Sequence, residues 1–354
     1  MKTIIHLLNT GSFSGAENVV ITLIRQMRKR YGNEYRFLYV SRPGSIEERV
    51  KKENIEFLPI EKISIKEIKK IKRKYNPDLI HAHDFTASMV CAMAFISTPI
   101  ISHLHSNPLW MQSYNIKSWA YYITAFRYQM ILSVSAAIKE EYVFGEKIKR
   151  KLHNIGNPVD VKAIADKAED KCMEKTDMVF LGRLSAPKDP LRFINIVAGV
   201  VKSDSSITCA MIGDGELREA CIKEVERLGL EKNVHLMGFL ENPYPLLKNA
   251  KLLCITSKWE GFGLMAVEAL SLGVPVVSTY IGGLKNIINE SCGCFCNTDE
   301  QFIRQIKEIL DDEELQRKLS KGAVQRAKEL DNIYQYTGEL DEIYNRILGK
   351  GIKR

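Results

Sequence analysis

The chain has 354 residues, 45% of them hydrophobic and 27% charged, long enough for two ordinary domains and too apolar for an extended disordered protein. Lysine plus arginine outnumber aspartate plus glutamate by 51 to 43, and the excess lies in one half: residues 1–155 hold 24 basic and 13 acidic side chains, residues 156–330 hold 23 and 26, and residues 331–354 hold 4 and 4. A basic half suits an anionic partner such as a membrane surface, a nucleic acid or a phosphorylated substrate, although it can also serve solubility alone.

The N-terminus, Met1 to Leu8, is a short apolar stretch that runs into the polar Asn9-Thr10-Gly11-Ser12, so it reads as a first strand and not as a secretory signal. Strand-like runs follow at Thr3–Leu8, Arg36–Val40, Glu56–Ile60, Asp78–His83, Ile100–His105 and Met130–Val134, with helical patterns between them. Residues 85–102 carry no charge, but Ser88, Ser97, Thr98 and Pro99 divide them into helix and then strand, which argues against a membrane span. A break falls near Gly156-Asn157-Pro158, followed by the charged, weakly patterned stretch Lys162–Asp177. A second βα series then starts at Met178–Arg183 and continues through Thr208–Ile212, His235–Gly238, Leu252–Thr256, Val274–Ser278 and Cys294–Cys296. This alternation predicts two Rossmann-like domains with parallel sheets, 1–157 and 158–330. In the C-terminal segment 331–354, Ile333, Tyr336, Leu340, Ile343, Tyr344 and Ile347 recur at helical spacing. That helix can pack back on the N-terminal domain, although its pattern alone leaves the choice of domain open.

Most of the eight cysteines lie in apolar runs and read as reduced core residues. Cys292, Cys294 and Cys296 alternate like one face of a strand and lack the C-x2-C spacing of zinc sites, so no metal is assigned to them. The first βα turn, Asn9 to Glu17, has glycines where backbone can approach a phosphate, yet G-x-G-x-x-G is absent and no acidic residue follows the second strand. It is not a dinucleotide fingerprint.

The stretch from Ser257 to Ser278 carries the most chemistry. A strand ends, Glu260-Gly261-Phe262-Gly263-Leu264 turns, and a helix begins whose first amides and positive dipole end suit a diphosphate. Two carboxylates, Glu260 and Glu268, raise the question of a glycosidase. At helical rise they would stand roughly 12 Å apart, beyond the ~5–5.5 Å of retaining and ~6.5–9.5 Å of inverting hydrolases. Separate roles as acceptors for sugar or ribose hydroxyls fit better, and two solvated glutamates are the plain alternative.

Glu260, seven residues and Glu268, within Glu-Gly-Phe-Gly-Leu-Met-Ala-Val-Glu-Ala-Leu-Ser-Leu-Gly-Val-Pro-Val-Val, closely resemble the donor-site motif of the family 4 retaining glycosyltransferases. The resemblance spans nearly the whole chain. Ser14-Gly15-Ala16-Glu17 looks like that family's glycine-rich first loop, Phe180 to Lys188 like its phosphate-binding segment, and Ile212-Gly213-Asp214-Gly215-Glu216 like the second turn of its donor domain. The family implies a GT-B fold, two Rossmann-like domains whose parallel sheets face a central cleft, with acceptor-side and donor-binding domains in that order. It implies that Arg183 and Lys188 hold the donor diphosphate, Glu268 the ribose hydroxyls and Glu260 a sugar hydroxyl. Gly15 would approach the diphosphate, and Gly261, Phe262, Gly263 and Leu264 would complete the donor site with backbone amides. His105 matches the family's acceptor-domain histidine near the sugar, with His103 beside it in alternation. It departs from the usual context, Ser102-His103-Leu104 standing where arginine or threonine is usual. His81, His83 and Asp84 could form a metal pair with a carboxylate, but the family uses that segment to shape the cleft. No D-x-D occurs, so no divalent ion is expected on the diphosphate and no cofactor is expected.

Two features of the basic half stay outside this pattern. Lys62–Lys74 holds seven basic residues and one acid over an inner stripe of Ile65, Ile68, Ile71 and Tyr75. Phe85–Lys139 contains no acid and concentrates seven aromatics between Trp110 and Tyr128. Together they favour contact with an anionic membrane, with core and cleft packing as the alternative for the aromatics, whereas no nucleic-acid fold signature occurs. The expectation is a cytoplasmic retaining hexosyltransferase, at the inner face of the plasma membrane. It would move a sugar from a nucleotide-diphosphate donor, UDP-linked, to a lipid-linked or growing glycan acceptor in cell-surface polysaccharide synthesis such as capsule or exopolysaccharide. The rivals are a nucleotide-sugar 2-epimerase on the same fold and a non-catalytic partner subunit of a membrane transferase.

Overall fold

Strand and helix alternate along the chain, and all twelve anticipated strands are present within two residues of their expected bounds. The computed structural model describes residues 1–12, 15–169 and 175–349. Ser14 of the first loop, one cysteine, Cys172, and part of the weakly patterned stretch, 170–174, lie outside them. The chain divides into two units, one formed by Met1–Pro158 with the segment from Asn332, the other by Val159–Asp331.

The first unit carries β1 (Lys2–Leu7), β2 (Tyr35–Ser41), β3 (Glu56–Pro59), β4 (Leu79–His83), β5 (Ile100–Leu104), β6 (Met130–Ser133) and β7 (Leu152–Asn154). They form one sheet in the order β3-β2-β1-β4-β5-β6-β7, parallel throughout. β7 is an edge strand of three residues, too short to show a period, and patterning misses it. Both faces are covered, as parallel sheets require. Ile5, Leu7, Ile80 and Ala82 enter one core, and Ile4, Phe37, Tyr39 and Leu79 enter the other.

The C-terminal helix Ile333–Gly349 closes that second core with Tyr336, Leu340, Ile343, Tyr344 and Ile347. Polar contacts set its register on the first unit. The Tyr35 hydroxyl donates to Asp341 (2.6 Å), Lys2 to Asn345 (2.6 Å) and Arg30 to the Thr337 hydroxyl (3.0 Å).

The second unit carries β8 (Thr176–Leu181), β9 (Cys209–Ile212), β10 (Val234–Gly238), β11 (Ala250–Ile255), β12 (Val276–Ser278) and β13 (Gly293–Phe295), in the order β10-β9-β8-β11-β12-β13 and again parallel.

Two local expectations change and a third holds. The cationic helix runs Ile65–Tyr75, capped by Ser64; Ile68 and Ile71 are buried, but Ile65, at its exposed first turn, is not part of the inner stripe. Cys292 packs on one face of the second sheet while Cys294 and Cys296 pack on the other, so the three thiols do not share a face. Only the last two obey the alternation, because Cys292 precedes β13. The uncharged stretch after Asp84 folds as helix Asp84–Met93 followed by β5, and among the described residues no helix is long and apolar enough to cross a membrane.

Candidate functional site

Strand order reverses once in each sheet, between β1 and β4 and between β8 and β11. Connections leave such neighbours toward opposite faces, which opens a crevice at their carboxyl ends. The candidate residues gather at these two places, each in its own unit.

In the second unit the segments after β8 and β11 are tied together. The Thr256 hydroxyl donates to the carbonyls of Lys188 (3.1 Å) and Asp189 (2.9 Å), and the Lys258 amide donates to the Pro187 carbonyl (2.7 Å). These bonds hold Lys188 against Glu260, with which it forms an ion pair; the side chains are only 19% and 13% exposed. A backbone-on-backbone approach places the loop after β8. Gly213 has φ +140°, and a Cβ there would stand 1.9 Å from the Gly182 carbonyl oxygen. Gly182 in turn donates to Ile212 (2.9 Å). Arg183, next along, is exposed, and no ion pair to it is formed among the described residues. Behind Glu260, Gly282 (φ +45°) comes so near that a Cβ would stand 1.8 Å from the Glu260 carbonyl oxygen.

The helix after this turn is Leu264–Ser271, with Gly263 at its N-cap in a left-handed conformation (φ +102°) and no side-chain cap. The Ala266 amide donates to the Gly263 carbonyl (3.0 Å), which leaves the amides of Leu264 and Met265 for a ligand. Glu268, in its second turn, accepts from the Tyr244 hydroxyl (3.0 Å). Burial pushes its carboxyl up to about 7, against that hydrogen bond and the positive charges of Lys167 and Lys188. Glu268 is thus a half-ionised acceptor near neutral pH, within the field of the lysine that pairs with Glu260.

In the first unit, Gly15 begins the helix Gly15–Tyr31, and the Thr10 hydroxyl donates to Glu17 (2.9 Å). His105 lies one residue beyond β5. Its backbone amide donates to Asp84 Oδ1 (3.0 Å), and Asp84 itself has φ +64°. Burial raises the Asp84 carboxyl to about 6 against that amide's pull. The His105 ring stacks on His103, centroids 4.2 Å apart, and shares a hydrogen bond between its Nε2 and His83 Nδ1 (2.8 Å). His83 Nε2 contacts His6 Nδ1 (3.0 Å), His81 Nε2 contacts His103 Nδ1 (3.1 Å), and His81 Nδ1 contacts the Tyr344 hydroxyl (2.7 Å). Five of the seven histidines thus form one cluster at the β1/β4 switch point. Burial lowers all five, His6 to about 3 and His105 to about 4, and neighbouring imidazoles depress His81, His83 and His103 further. They are neutral at pH 7.

Lys188 and Glu260 are brought together, and Glu268 lies in the same unit near Lys188's charge. The 12 Å spacing of the two carboxylates does not follow, because Gly263 breaks the backbone at the N-cap and Glu260 lies in the turn before the helix. Tyr244 escapes sequence reasoning, since nothing in Pro243-Tyr244-Pro245 marks it as a partner of Glu268. His6 escapes too: it opposes His81 only because β1 pairs with β4.

Two family descriptions match. Residues 13–163 match glycosyltransferase family 4 and residues 161–326 match glycosyl transferases group 1. The chain is 25% identical over 347 residues, 93% of both chains, to the GalNAc-alpha-(1->4)-GalNAc-alpha-(1->3)-diNAcBac-PP-undecaprenol alpha-1,4-N-acetyl-D-galactosaminyltransferase of Campylobacter jejuni. It is 25% identical to the lipopolysaccharide 1,6-galactosyltransferase of Escherichia coli over 58% of this chain and 57% of that one. Among solved structures, Anabaena Alr3699/HepE in complex with UDP and glucose superposes with a TM-score of 0.84 at 19% identity, covering 98% of this chain and all of that one. With the two parallel-sheet units, these matches establish that the chain belongs to the family 4 glycosyltransferases and is a glycosyltransferase of the GT-B fold.

Proposed function

We propose that the chain transfers a hexose, with retention at the anomeric carbon, from a UDP-sugar to a lipid-linked or growing glycan in cell-surface polysaccharide synthesis, capsule or exopolysaccharide. The observation that carries this reading is the Lys188–Glu260 pair at the β8/β11 switch point, with Glu268 beside it. A departing nucleoside diphosphate gains negative charge, so a fixed cation stabilises the transition state more than the ground state. Lys188 has three N–H donors and gives one to Glu260, which leaves two for phosphate oxygens; exposed Arg183 supplies a planar fork beside it. In this reading those two cations, without a divalent ion, neutralise the diphosphate. The backbone from Gly261 through Leu264 approaches it, Glu268 accepts from the ribose hydroxyls and Glu260 from a sugar hydroxyl. The leaving diphosphate takes the acceptor proton.

The matched relatives support the acceptor class, since the Campylobacter protein acts on an undecaprenol-linked glycan and the Escherichia coli protein on lipopolysaccharide. The Anabaena complex with UDP supports the base. A place at the cytoplasmic face of the membrane is supported by the apolar side chains that the first unit exposes, Leu109, Tyr114, Ile116, Trp119, Ile123 and Phe126, and by the basic helix Ile65–Tyr75. Purified protein, a panel of UDP-sugars and a polyprenyl-diphosphate-linked glycan test the reading by mass spectrometry. An acceptor heavier by one hexose supports it; an isomerised donor with the acceptor unchanged, or no donor consumption at all, overturns it.

A further inference from the structure

We propose that the histidine cluster of the first unit is a binding site for one divalent transition-metal ion of the zinc class, held by His83, His103 and His105. Two His-x-His pairs stand on adjacent parallel strands, His81 and His83 on β4, His103 on β5 with His105 just past its end, and His83 is in register with His103. Alternate residues of a strand share a face, so each pair aims two imidazoles the same way and neighbouring strands bring the pairs side by side. One ring nitrogen from each of His83, His103 and His105 lies within 4.8 Å of the other two. Three imidazoles with an open fourth position are a recurrent zinc ligand set, and imidazole also suits copper, nickel and iron.

Most of the cluster's hydrogen bonds can be kept around such an ion. His83 Nδ1 and His105 Nε2, now 2.8 Å apart, would both become ligands. Tetrahedral geometry at ordinary Zn–N lengths needs them to part to about 3.3 Å. The proton between them is released or moves to the far side of a ring. His83 then carries its proton on Nε2, facing His6 Nδ1 at 3.0 Å. His103 coordinates through Nε2, which is buried and without a hydrogen-bond partner, and carries its proton on Nδ1, facing His81 Nε2 at 3.1 Å. His81 is left with its proton on Nδ1, facing the Tyr344 hydroxyl at 2.7 Å. His105 Nδ1, in the negative field of Glu17, and His6 Nε2 keep protons without a hydrogen-bond partner. Every ligand is the neutral imidazole a metal needs, and two of the three have a neighbouring acceptor that orients the ring from behind. His6 and His81 are therefore positioning residues for the ion. The inner set, His6, His81 and His83, also converges but is wholly buried, whereas His105 opens the outer set at the strand ends. The inference does not rest on the transferase reading, and an ion on His105 Nε2 takes that atom from the sugar contact that the family resemblance implies for it.

The test is metal content. The full chain, stripped with a chelator and dialysed against Zn2+, should retain one equivalent by mass spectrometry, and Co2+ should give the intense visible bands of a tetrahedral site. His103→Gln and His105→Gln should each weaken retention more than tenfold, His6→Leu by about 10- to 100-fold, and His153→Gln and His235→Gln should leave it unchanged. Wild-type protein that retains no zinc after dialysis overturns the proposal without recourse to any variant. Retention that survives in folded His103→Gln and His105→Gln overturns it as well, and the cluster is then a hydrogen-bonded packing network only.

Discussion

Substituting Glu268 by glutamine should make the ligand-free protein more stable and its donor binding weaker, with a pH dependence of known sign. The carboxyl has its folded pKa raised from 4.5 to about 7, chiefly by burial. A raised carboxyl binds more protons folded than unfolded between these values, so its contribution to stability is fully present below pH 4.5 and is lost as pH rises through 7. That rise corresponds to roughly 3 kcal/mol, of which about 2–3 kcal/mol disappears between pH 5 and pH 8. Glutamine keeps an oxygen for the Tyr244 hydroxyl and carries no charge, so Glu268→Gln should gain on wild type by that amount over the same interval. Native-state amide exchange of the β11 and Leu264–Ser271 peptides, compared between the two proteins at each pH, reads this locally and cancels the intrinsic pH effect on exchange. Donor affinity should move the other way, because an ionised carboxylate is the better acceptor for ribose hydroxyls: wild-type affinity rises through pH 7 and the variant's stays flat. Equal stability of the two proteins at pH 8 would refute the argument that burial raises this carboxyl.

Lys188→Ala leaves Glu260 half-buried without its cation, and should cost about 2 kcal/mol of stability and about 100-fold in kcat/KM; denaturation and initial rates check it, and wild-type turnover would remove Lys188 from the site. Gly213→Ala forces a Cβ against the Gly182 carbonyl at φ +140°, and should lower stability by roughly 2–4 kcal/mol, read as a fall in Tm, with donor binding impaired because the loop carrying Arg183 shifts. Trp119→Ser with Phe126→Ser removes two exposed aromatics, and should reduce co-sedimentation with anionic liposomes at low salt while the fold is preserved; unchanged sedimentation would count against that face as the membrane contact.

The βα alternation and the donor motif were legible because each depends on residues close in the chain. Apolar runs such as Leu252-Leu253-Cys254-Ile255 announce buried strands, and Gly261 through Gly263 announce the turn that ends one. Boundaries blurred where a single backbone conformation decides them: left-handed Gly263 separates Glu260 from the helix, and a period of 3.6 cannot foresee that. Sharing a face is likewise a matter of position relative to the strand, which is why Cys292 parts from Cys294 and Cys296.

By itself, then, the sequence determined twelve of the thirteen strands described, the parallel sheets, the candidate donor residues Arg183, Lys188, Glu260 and Glu268, and an amphipathic C-terminal helix. Only the tertiary structure decided that this helix packs on the first unit, through Tyr336, Leu340 and Tyr344, that Lys188 meets Glu260, that Tyr244 holds Glu268, and that five histidines from three strands converge. The physical reason is the same each time. Local pattern sets which face of an element is apolar, whereas strand order and register set what lies opposite it, and His6 meets His81 only because the fourth strand adds beside the first.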